Sequence, residues 1–275
     1  MTQDTLGDAL GVRHAQAQDD ARIVSLVPSI TELLFHLGLG ERVVGRTSFC
    51  IHPRQALAHV PRVGGTKKPR MDKLRALRPS HVIVNIDENR KEDVDQIARF
   101  TPHVIVTHPL TPDDNLALYR LLGGIFGNQA AAEQLCVQFE QARNALVDAA
   151  AALPPRRVLY LIWRDPWMTI SRDTYISQML ALANWETVCH AAKVRYPQVR
   201  ADERLLGNTD MVLFSSEPFP FKPAHMEELR RLTADTDTPF EFIDGEMTSW
   251  YGSRAVDGMR YLRELAMRFS EPSSL

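Results

Sequence analysis

Large aromatic side chains follow several of the predicted β-strands. The strand predicted at residues 157–163 ends at Trp163 and continues into Trp167 and Met168, and the last predicted strand leads into a loop that contains Trp250. Amphipathic aromatic residues at such positions suit a large, flat and partly apolar ligand. The alternative is that Trp163 and Trp167 only fill the interface between a sheet and its helices.

A cysteine and a histidine lie two residues apart in the loop after the strand that begins at Val43. Cys50 and His52 could bind a soft or borderline metal ion, or His52 alone could act as an axial ligand to cobalt. Two potential ligands do not make a zinc site, and a structural cysteine beside a loop histidine is the simpler interpretation. We therefore predict no metal centre and no intrinsic cofactor.

Charged and amide side chains follow the strand predicted at residues 81–86. Glu88 and Arg90 could form a solvated ion pair, which would contribute less than ~1 kcal/mol to stability. Alternatively, Asn89 and Arg90 could form hydrogen bonds to ligand amides or to a phosphate. Both interpretations stay open at this point.

The sequence contains no motif of a known catalytic centre. It has no GxSxG elbow, no P-loop, no GxGxxG after the first strand and no HExxH. We therefore predict a protein that is not an enzyme. A cytoplasmic enzyme or sensor remains an alternative, and Glu217, Asp244 and Glu246 are then the candidates for an acid or a base.

The composition excludes two classes of partner. The 275 residues include 32 Lys+Arg and 34 Asp+Glu, giving a net charge of -2, so neither nucleic acid nor an anionic membrane surface is expected as a partner. No stretch approaches the ~18 apolar residues of a membrane helix, so no membrane insertion is expected. The three cysteines do not suggest a disulfide framework.

The first 21 residues are acidic and lack the apolar run of a signal peptide. We expect a cytoplasmic protein if the chain is full-length and a periplasmic one if an export signal was removed.

Strands alternate with helices along most of the chain, which is typical of parallel sheets with helices on their faces. Residues 128–152 interrupt this alternation with one long helix rich in alanine, and Pro154-Pro155 ends it. We predict an α/β fold in which two βα lobes with parallel sheets are joined by a long rigid backbone helix. The expected divisions are a flexible tail at 1–20, an N-terminal lobe at 21–127, the bridging helix at 128–152 and a C-terminal lobe at 153–275.

Several segments resemble the substrate-binding proteins of ABC transporters that have a helical backbone, and among them the cobalamin-binding branch. The resemblance covers residues 22–270. It rests mainly on Arg22–Glu32 (RIVSLVPSITE), on Val43–Thr47 (VVGRT), on Val63–Lys67 (VGGTK) and on Asp165–Thr169 (DPWMT). The resemblance implies two lobes bridged by a stiff helix, with a corrinoid held in the cleft between them.

The family's ligand-facing aromatic residues correspond to Phe49, Met168 and Tyr196. Thr66 and Met168 stand where the cobalamin-binding members have Trp and Phe, and Trp163, Trp167 and Trp250 could compensate. The family also has one acidic residue on each lobe that docks onto arginines of the transporter, and these positions hold Asp72 and Asp202. Both are expected near the start of a short helix, where an Asp can instead be a cap or a partner of the helix dipole.

The predicted function is the binding of a corrinoid, such as cobalamin, for ABC-type uptake or salvage. The alternatives are a ferric siderophore, haem or a metal ion bound by the same fold, or a cytoplasmic sensor. The expected partners are the ligand and an ABC transporter permease, and the chain is expected to be a monomer. The predicted ligand-binding residues are Phe49, Cys50, His52, Glu88, Arg90, Trp163, Trp167, Met168, Tyr196 and Trp250.

Overall fold

The structure is a computed structural model that describes residues 6–188, 191, 193–235 and 237–269. The chain forms two compact units. The N-terminal unit consists of the described residues within 1–109, 113–139 and 251–254. The C-terminal unit consists of those within 110–112, 140–250 and 255–275.

A four-stranded parallel sheet forms the centre of the N-terminal unit, with the strand order β2-β1-β5-β6. A two-stranded antiparallel hairpin, β3-β4, lies outside it. The strands are β1 (Ile23–Ser25), β2 (Val43–Arg46), β3 (Gly64–Gly65), β4 (Lys68–Pro69), β5 (His81–Asn85) and β6 (His103–Thr107). The helices are α1 (Pro28–His36), α2 (Met71–Ala76), α3 (Lys91–Ile97) and α4 (Asp114–Ile125), with 3-10 turns at Gly40–Arg42 and Ala56–His59.

The core of this unit explains why the strands are almost entirely apolar. Val24, Val82 and Val106 are buried on neighbouring strands and form one cluster with Leu74 of α2 and Ile97 of α3. A parallel sheet that is covered by helices on both faces buries successive residues of each strand. The sequence therefore shows short apolar runs instead of an alternating pattern.

Residues 6–20 differ from the loose tail that their polar composition led us to expect. The carboxylate of Asp8 is buried and accepts hydrogen bonds from the N–H of Val106 at 3.1 Å and from Nε2 of His14, which is at the same distance. The N–H of Ala9 donates to the carbonyl of Val106, and that of Ala17 to the carbonyl of Ile125. Few apolar residues are needed here because the segment is held by backbone bonds and one buried carboxylate.

The long helix that was predicted at 128–152 is α5 (Gln129–Ala151), with 23 residues. At 1.5 Å per residue its length is roughly 34 Å. The boundary between the two units falls within this helix, between Phe139 and Glu140. The fold class expected from the sequence, two βα lobes with parallel sheets joined by a long helix, is confirmed.

The sheet of the C-terminal unit has the strand order β11-β10-β7-β8, and β9 pairs with the start of β7. All pairings are parallel except that of β7 with β8. The strands are β7 (Arg156–Trp163), β8 (Met168–Thr169), β9 (Trp185–Thr187), β10 (Met211–Ser215) and β11 (Phe240–Ile243). The helices are α6 (Tyr175–Leu182), α7 (Pro223–Thr233), α8 (Gly245–Ser249) and α9 (Arg254–Arg268).

Among the described residues, no helix is both long enough and apolar enough to span a membrane.

Candidate functional site

The loops at the carboxyl ends of the parallel strands hold most of the predicted site residues, and each unit has its own set. Ligands of open α/β sheets bind outside these ends, because loops and helix starts converge there. In the N-terminal unit the set follows β2 and β5. In the C-terminal unit it follows β7, β10 and β11.

Phe49 is the most exposed aromatic residue of the N-terminal set, with 61% of its surface accessible. Its ring lies over Gly65, where a Cβ atom would come within 3.3 Å of the Phe49 ring. The hydroxyl of Thr47 accepts a hydrogen bond of 3.2 Å from the N–H of Phe49 and so fixes the start of the loop. Phe49 therefore presents an apolar face in a defined position.

Cys50 is fully buried directly beside this exposed ring. The hydroxyl of Thr31 donates to its Sγ at 3.0 Å, and Oγ1 of Thr47 lies 3.1 Å from the same atom. Burial raises the pKa of the Cys50 thiol. A buried thiol with a raised pKa is a poor metal ligand, because the thiolate is the ligating form. His52 is half-buried and lines a cavity that is described further below.

Glu88 and Arg90 do not form the ion pair that was considered from the sequence. The hydroxyl of Tyr251 donates a hydrogen bond of 2.7 Å to Oε1 of Glu88, and Arg90 pairs with Glu92 at 3.6 Å. Burial, and after it the charge of Glu88, raises the pKa of Tyr251 well above its usual value. The phenol of Tyr251 thus fixes the position of the Glu88 carboxylate, whereas Arg90 is exposed at the surface.

Asn89 has a structural role in the same loop. Its Oδ1 accepts from the N–H of Asn85 at 2.8 Å, and its Nδ2 donates to the carbonyls of Leu26 and Thr66 at 3.3 and 3.0 Å. The side chain therefore connects the ends of β1 and β5 with the β3-β4 hairpin. These bonds use the amide that was considered for ligand binding.

The tryptophans of the C-terminal unit differ in exposure. Trp163, at the end of β7, is 40% exposed and packs edge-to-face on Phe219 with ring centroids 5.5 Å apart. Trp167 is only 8% exposed and stacks on Phe221 with centroids 5.9 Å apart. Trp167 belongs to a core cluster that also contains Phe214, as the alternative interpretation anticipated. Only Trp163 of this pair offers a large accessible surface.

Trp250 is almost buried, and its indole is anchored by a carboxylate. Its Nε1 donates to Oε1 of Glu217 at 2.8 Å, and the hydroxyl of Ser249 donates to the same oxygen at 2.9 Å. Burial raises the pKa of Glu217, and the nearby carboxylates of Glu246 and Asp244 act in the same direction. Sequence reasoning had named Glu217 only as a candidate acid or base, because its partners lie 32 and 33 positions away.

Helix α8 explains how Glu217 and Trp250 meet. Asp244 caps this helix through hydrogen bonds from the N–H groups of Glu246 and Met247. A Cβ atom on Gly245 would lie 2.5 Å from Oγ of Ser215 and 2.6 Å from Cγ of Glu217. Only glycine lets α8 approach the end of β10 so closely.

The two remaining predicted ligand residues lie in neighbouring segments of the C-terminal unit. Met168 is half-buried and pairs with Trp163 in the antiparallel β7-β8 ladder. Its other neighbour is Gln198, through an isolated bridge. Tyr196 is 39% exposed, and the guanidinium of Arg195 lies 5.7 Å from its ring centre. Trp163 and Met168 are thus direct neighbours, and the segment that contains Tyr196 lies beside β8, where the N–H of Thr169 donates to the carbonyl of Pro197.

The two candidate docking carboxylates lie in different local structures. Asp72 is the second residue of α2, where the N–H of Lys73 holds its pKa below the usual value, and it pairs with Arg70 at 3.4 Å. Asp202 lies at a bend that precedes a run of turns and not at a helix start, so that part of the expectation is wrong. It pairs with Arg200 at 3.3 Å and accepts from the N–H of Arg204.

Three comparisons with known proteins agree with this architecture. The family model described as periplasmic binding protein matches residues 23–242. A vitamin B12-binding protein of Yersinia pestis (strain Pestoides F) is 26% identical over 201 residues, which are 72% of this chain and 71% of the relative. The resemblance to substrate-binding proteins of ABC transporters, stated from the sequence, is confirmed.

Solved structures of such proteins have the same fold. The periplasmic heme-binding protein RhuT from Roseiflexus sp. RS-1 has a TM-score of 0.79 at 25% identity, over 91% of this chain and 98% of the other. The periplasmic vitamin B12 binding protein BtuF of Vibrio cholerae has a TM-score of 0.76 at 19% identity, over 90% and 98%. On the fold and the family match together, the chain belongs to the periplasmic binding protein family.

Proposed function

We propose that this protein binds a corrinoid of the cobalamin type and delivers it to the permease of an ABC transporter. The observation that carries the proposal is the pair of accessible aromatic faces at strand ends, Phe49 in the N-terminal unit and Trp163 in the C-terminal unit. A corrinoid is large, flat and partly apolar, and exposed aromatic faces are the side chains that suit such a surface. The curated relatives that are named vitamin B12-binding proteins support the same ligand class.

The proposed contacts follow from accessibility. Phe49, Trp163, Met168 and Tyr196 have accessible surface at the strand ends and would meet the ligand directly. Glu88, Arg90 and His52 are the proposed polar contacts. Trp167, Trp250 and Cys50 are buried, and we propose that they support the loops that carry the direct contacts.

The arrangement of the lobes is part of the proposal. The division into lobes at 21–127 and 153–275 with a bridge at 128–152, and the placement of the ligand between the lobes, stay predictions. Asp72 and Asp202 are the proposed contacts with the permease. Asp72 pairs with Arg70 and Asp202 pairs with Arg200, so docking would replace these partners by arginines of the permease.

Titration of the purified protein with cyanocobalamin, haemin and a ferric siderophore, followed by tryptophan fluorescence, tests the ligand class. We expect saturable quenching by cyanocobalamin with a dissociation constant in the micromolar range or below, and weaker binding of the other two. If cyanocobalamin gives no saturable quenching, the corrinoid proposal is wrong.

Haem is the second candidate, because the heme-binding relative RhuT is 25% identical over 91% of this chain. Haem iron requires an axial ligand such as His or Tyr. His52 and Tyr196 are the accessible candidates among the predicted site residues. Saturable binding of haemin with a shifted Soret band that is lost in a Tyr196→Phe or His52→Ala variant would favour haem over a corrinoid.

The proposal also states that the protein is not an enzyme and that it works outside the cytoplasm. Both follow from a role in ABC-type uptake, and the matched family is described as periplasmic. Cell fractionation should find the protein in the periplasmic fraction. Recovery from the cytosol alone would favour the sensor alternative.

A further inference from the structure

A cavity of about 730 Å³ opens beside the end of β2, within the N-terminal unit. The segment 46–62, which leads from β2 toward the β3-β4 hairpin, supplies all of its lining residues. Three of these residues are arginines, Arg46, Arg54 and Arg62, and His52 and His59 add two imidazoles. None of the lining residues is acidic. The cavity therefore has a strongly one-sided charge, in contrast to the chain as a whole.

Arg46 is the buried member of this group, with only 5% of its surface exposed. Its Nη1 donates to the carbonyls of Thr47 and Cys50 at 3.2 and 2.9 Å, and its Nη2 donates to the carbonyl of Leu57 at 3.1 Å. Its Nε is buried and has no hydrogen-bond partner among the residues that the structure describes. A buried guanidinium that is held by carbonyls alone lacks a counter-ion, and this is costly.

The surrounding charges increase that cost. Burial, and after it repulsion from Arg62, holds the pKa of Arg46 below its usual value. Arg54 and Arg62 are exposed, and within the described part of the chain neither has an ion pair with a carboxylate. An anion in the cavity would offset part of this positive charge. The cluster thus has the electrostatic character of an anion site.

We propose that this cavity binds the phosphoryl group of a small organic molecule. Guanidinium groups match the geometry of phosphate oxygens and bind them through paired N–H donors. The volume falls within the range of about 300–1,000 Å³ that small-molecule sites occupy, and it exceeds what a bare ion needs. Ile51, Leu57 and Val60 add an apolar wall for the organic part.

The phosphoryl group has two possible sources. It belongs either to a free phosphorylated metabolite, such as a nucleoside monophosphate, or to the ligand of the proposed function, since cobalamin carries a phosphodiester in its nucleotide loop. The chemistry recognised by the arginines is the same in both cases. The anion site itself does not depend on the corrinoid proposal.

Isothermal titration calorimetry with AMP and with inorganic phosphate tests the site. We expect saturable binding of AMP, and at least tenfold weaker binding in the double variant Arg54→Gln/Arg62→Gln. The double variant Arg204→Gln/Arg263→Gln removes the same charge from exposed positions of the C-terminal unit and should bind AMP as the wild type does. The proposal is wrong if both double variants lose affinity equally, or if AMP gives no saturable binding and Arg54→Gln/Arg62→Gln binds cyanocobalamin as the wild type does.

Two corrinoids identify the source of the phosphoryl group. Dicyanocobinamide lacks the phosphate-bearing nucleotide loop that cyanocobalamin has. If the Arg54→Gln/Arg62→Gln variant binds cyanocobalamin more weakly but dicyanocobinamide unchanged, the site holds the phosphodiester of the transported ligand. If this variant binds AMP more weakly but both corrinoids as the wild type does, the site serves a separate metabolite. If the wild type binds cyanocobalamin but neither AMP nor inorganic phosphate, and the variant binds cyanocobalamin equally well, the anion site is wrong and the proposed function still stands.

Discussion

The indole Nε1 of Trp250 donates a hydrogen bond of 2.8 Å to Oε1 of Glu217, and Ser249 donates to the same oxygen. One carboxylate at the end of β10 thus holds the last turn of α8 and the residue that follows it. This carboxylate is half-buried, and burial raises its pKa, so its charge has a cost that depends on pH.

Replacement of Glu217 by Gln should change the pH dependence of stability. The folded-state pKa of Glu217 is raised, so its contribution to stability is fully present below the unfolded-state value and is lost as pH rises through the folded-state value. A glutamine at position 217 does not ionise, so the variant does not lose stability in this way as pH rises. The free energy of unfolding of Glu217→Gln, relative to the wild type, should therefore increase as pH rises from about 4.5 to 7.

Urea unfolding at a series of pH values measures this difference. Glu203→Gln removes one carboxylate from an exposed position and is the matched control. A constant difference across the pH range, or the same slope for both variants, would contradict the role of the buried carboxylate.

Gly245→Ala should destabilise the C-terminal unit by about 1–3 kcal/mol, because its Cβ would overlap Ser215 and Glu217. Gly207→Ala is the control, since the nearest atom to its Cβ is the carbonyl oxygen of Arg204 at 3.6 Å. Chemical denaturation should show a loss for Gly245→Ala alone. Equal midpoints for the two variants would show that α8 can move away from β10 without cost.

Arg254→Met should destabilise the protein by about 2–3 kcal/mol. Arg254 forms a two-point ion pair with Glu32 at 2.6 and 2.9 Å, with side-chain exposures of 12% and 21%, so its loss leaves a largely desolvated carboxylate. Arg260→Met breaks an exposed pair with Asp257 and should cost less than ~1 kcal/mol. The double variant Arg254→Met/Glu32→Met should recover part of the loss, and purely additive effects would argue against the pair.

Trp163→Ala should weaken ligand binding by about tenfold, since Trp is enriched among the residues whose loss from a binding surface costs more than ~1 kcal/mol. Phe242→Ala removes an aromatic residue of the same 40% exposure from within β11 and should leave affinity unchanged. Equilibrium titration with cyanocobalamin compares the two variants. Unchanged affinity of Trp163→Ala would exclude Trp163 from the binding surface.

Maleimide should label Cys50 slowly in the folded protein, at least about 100-fold more slowly than in the unfolded chain, because the thiol is buried and its pKa is raised. Mass spectrometry of the peptide that contains Cys50 follows the reaction at that one residue. The urea-unfolded protein gives the reference rate. Fast labelling of the folded protein would mean that the loop after Thr47 opens readily.

The alternation of strands and helices could be predicted because each element has a local signal. The predicted strand at 157–163 differs from β7 by one residue at its start, and the one at 81–86 differs from β5 by one residue at its end. The predicted helix at 128–152 differs from α5 by one residue at each end. The short elements β8, β9 and α8 were missed, since elements of two to five residues show no clear hydrophobic period. Their position depends on β7 and β10, which are distant in the sequence.

The burial of the tryptophans could be predicted only in part. Trp163 ends β7 and Trp167 follows it, as expected, whereas Trp250 is separated from β11 by α8. Trp167 is buried against Phe221, which lies 54 positions later, and the indole of Trp250 is bonded to Glu217, which lies 33 positions earlier. The unusual environment of Arg46 had no sequence signal either. Its three carbonyl partners belong to a loop whose path could not be inferred from residue types.

Residues 6–20 have a consequence for the solution behaviour of the protein. Strand β6 is the outer strand of its sheet, and Asp8 and Ala9 occupy the N–H and the carbonyl of Val106 on its free side. An uncovered outer strand is a template on which a second molecule can add its own strand. The segment thus shields the sheet from self-association, and a protein shortened to begin at Ala21 should dimerise or precipitate where the longer chain stays monodisperse.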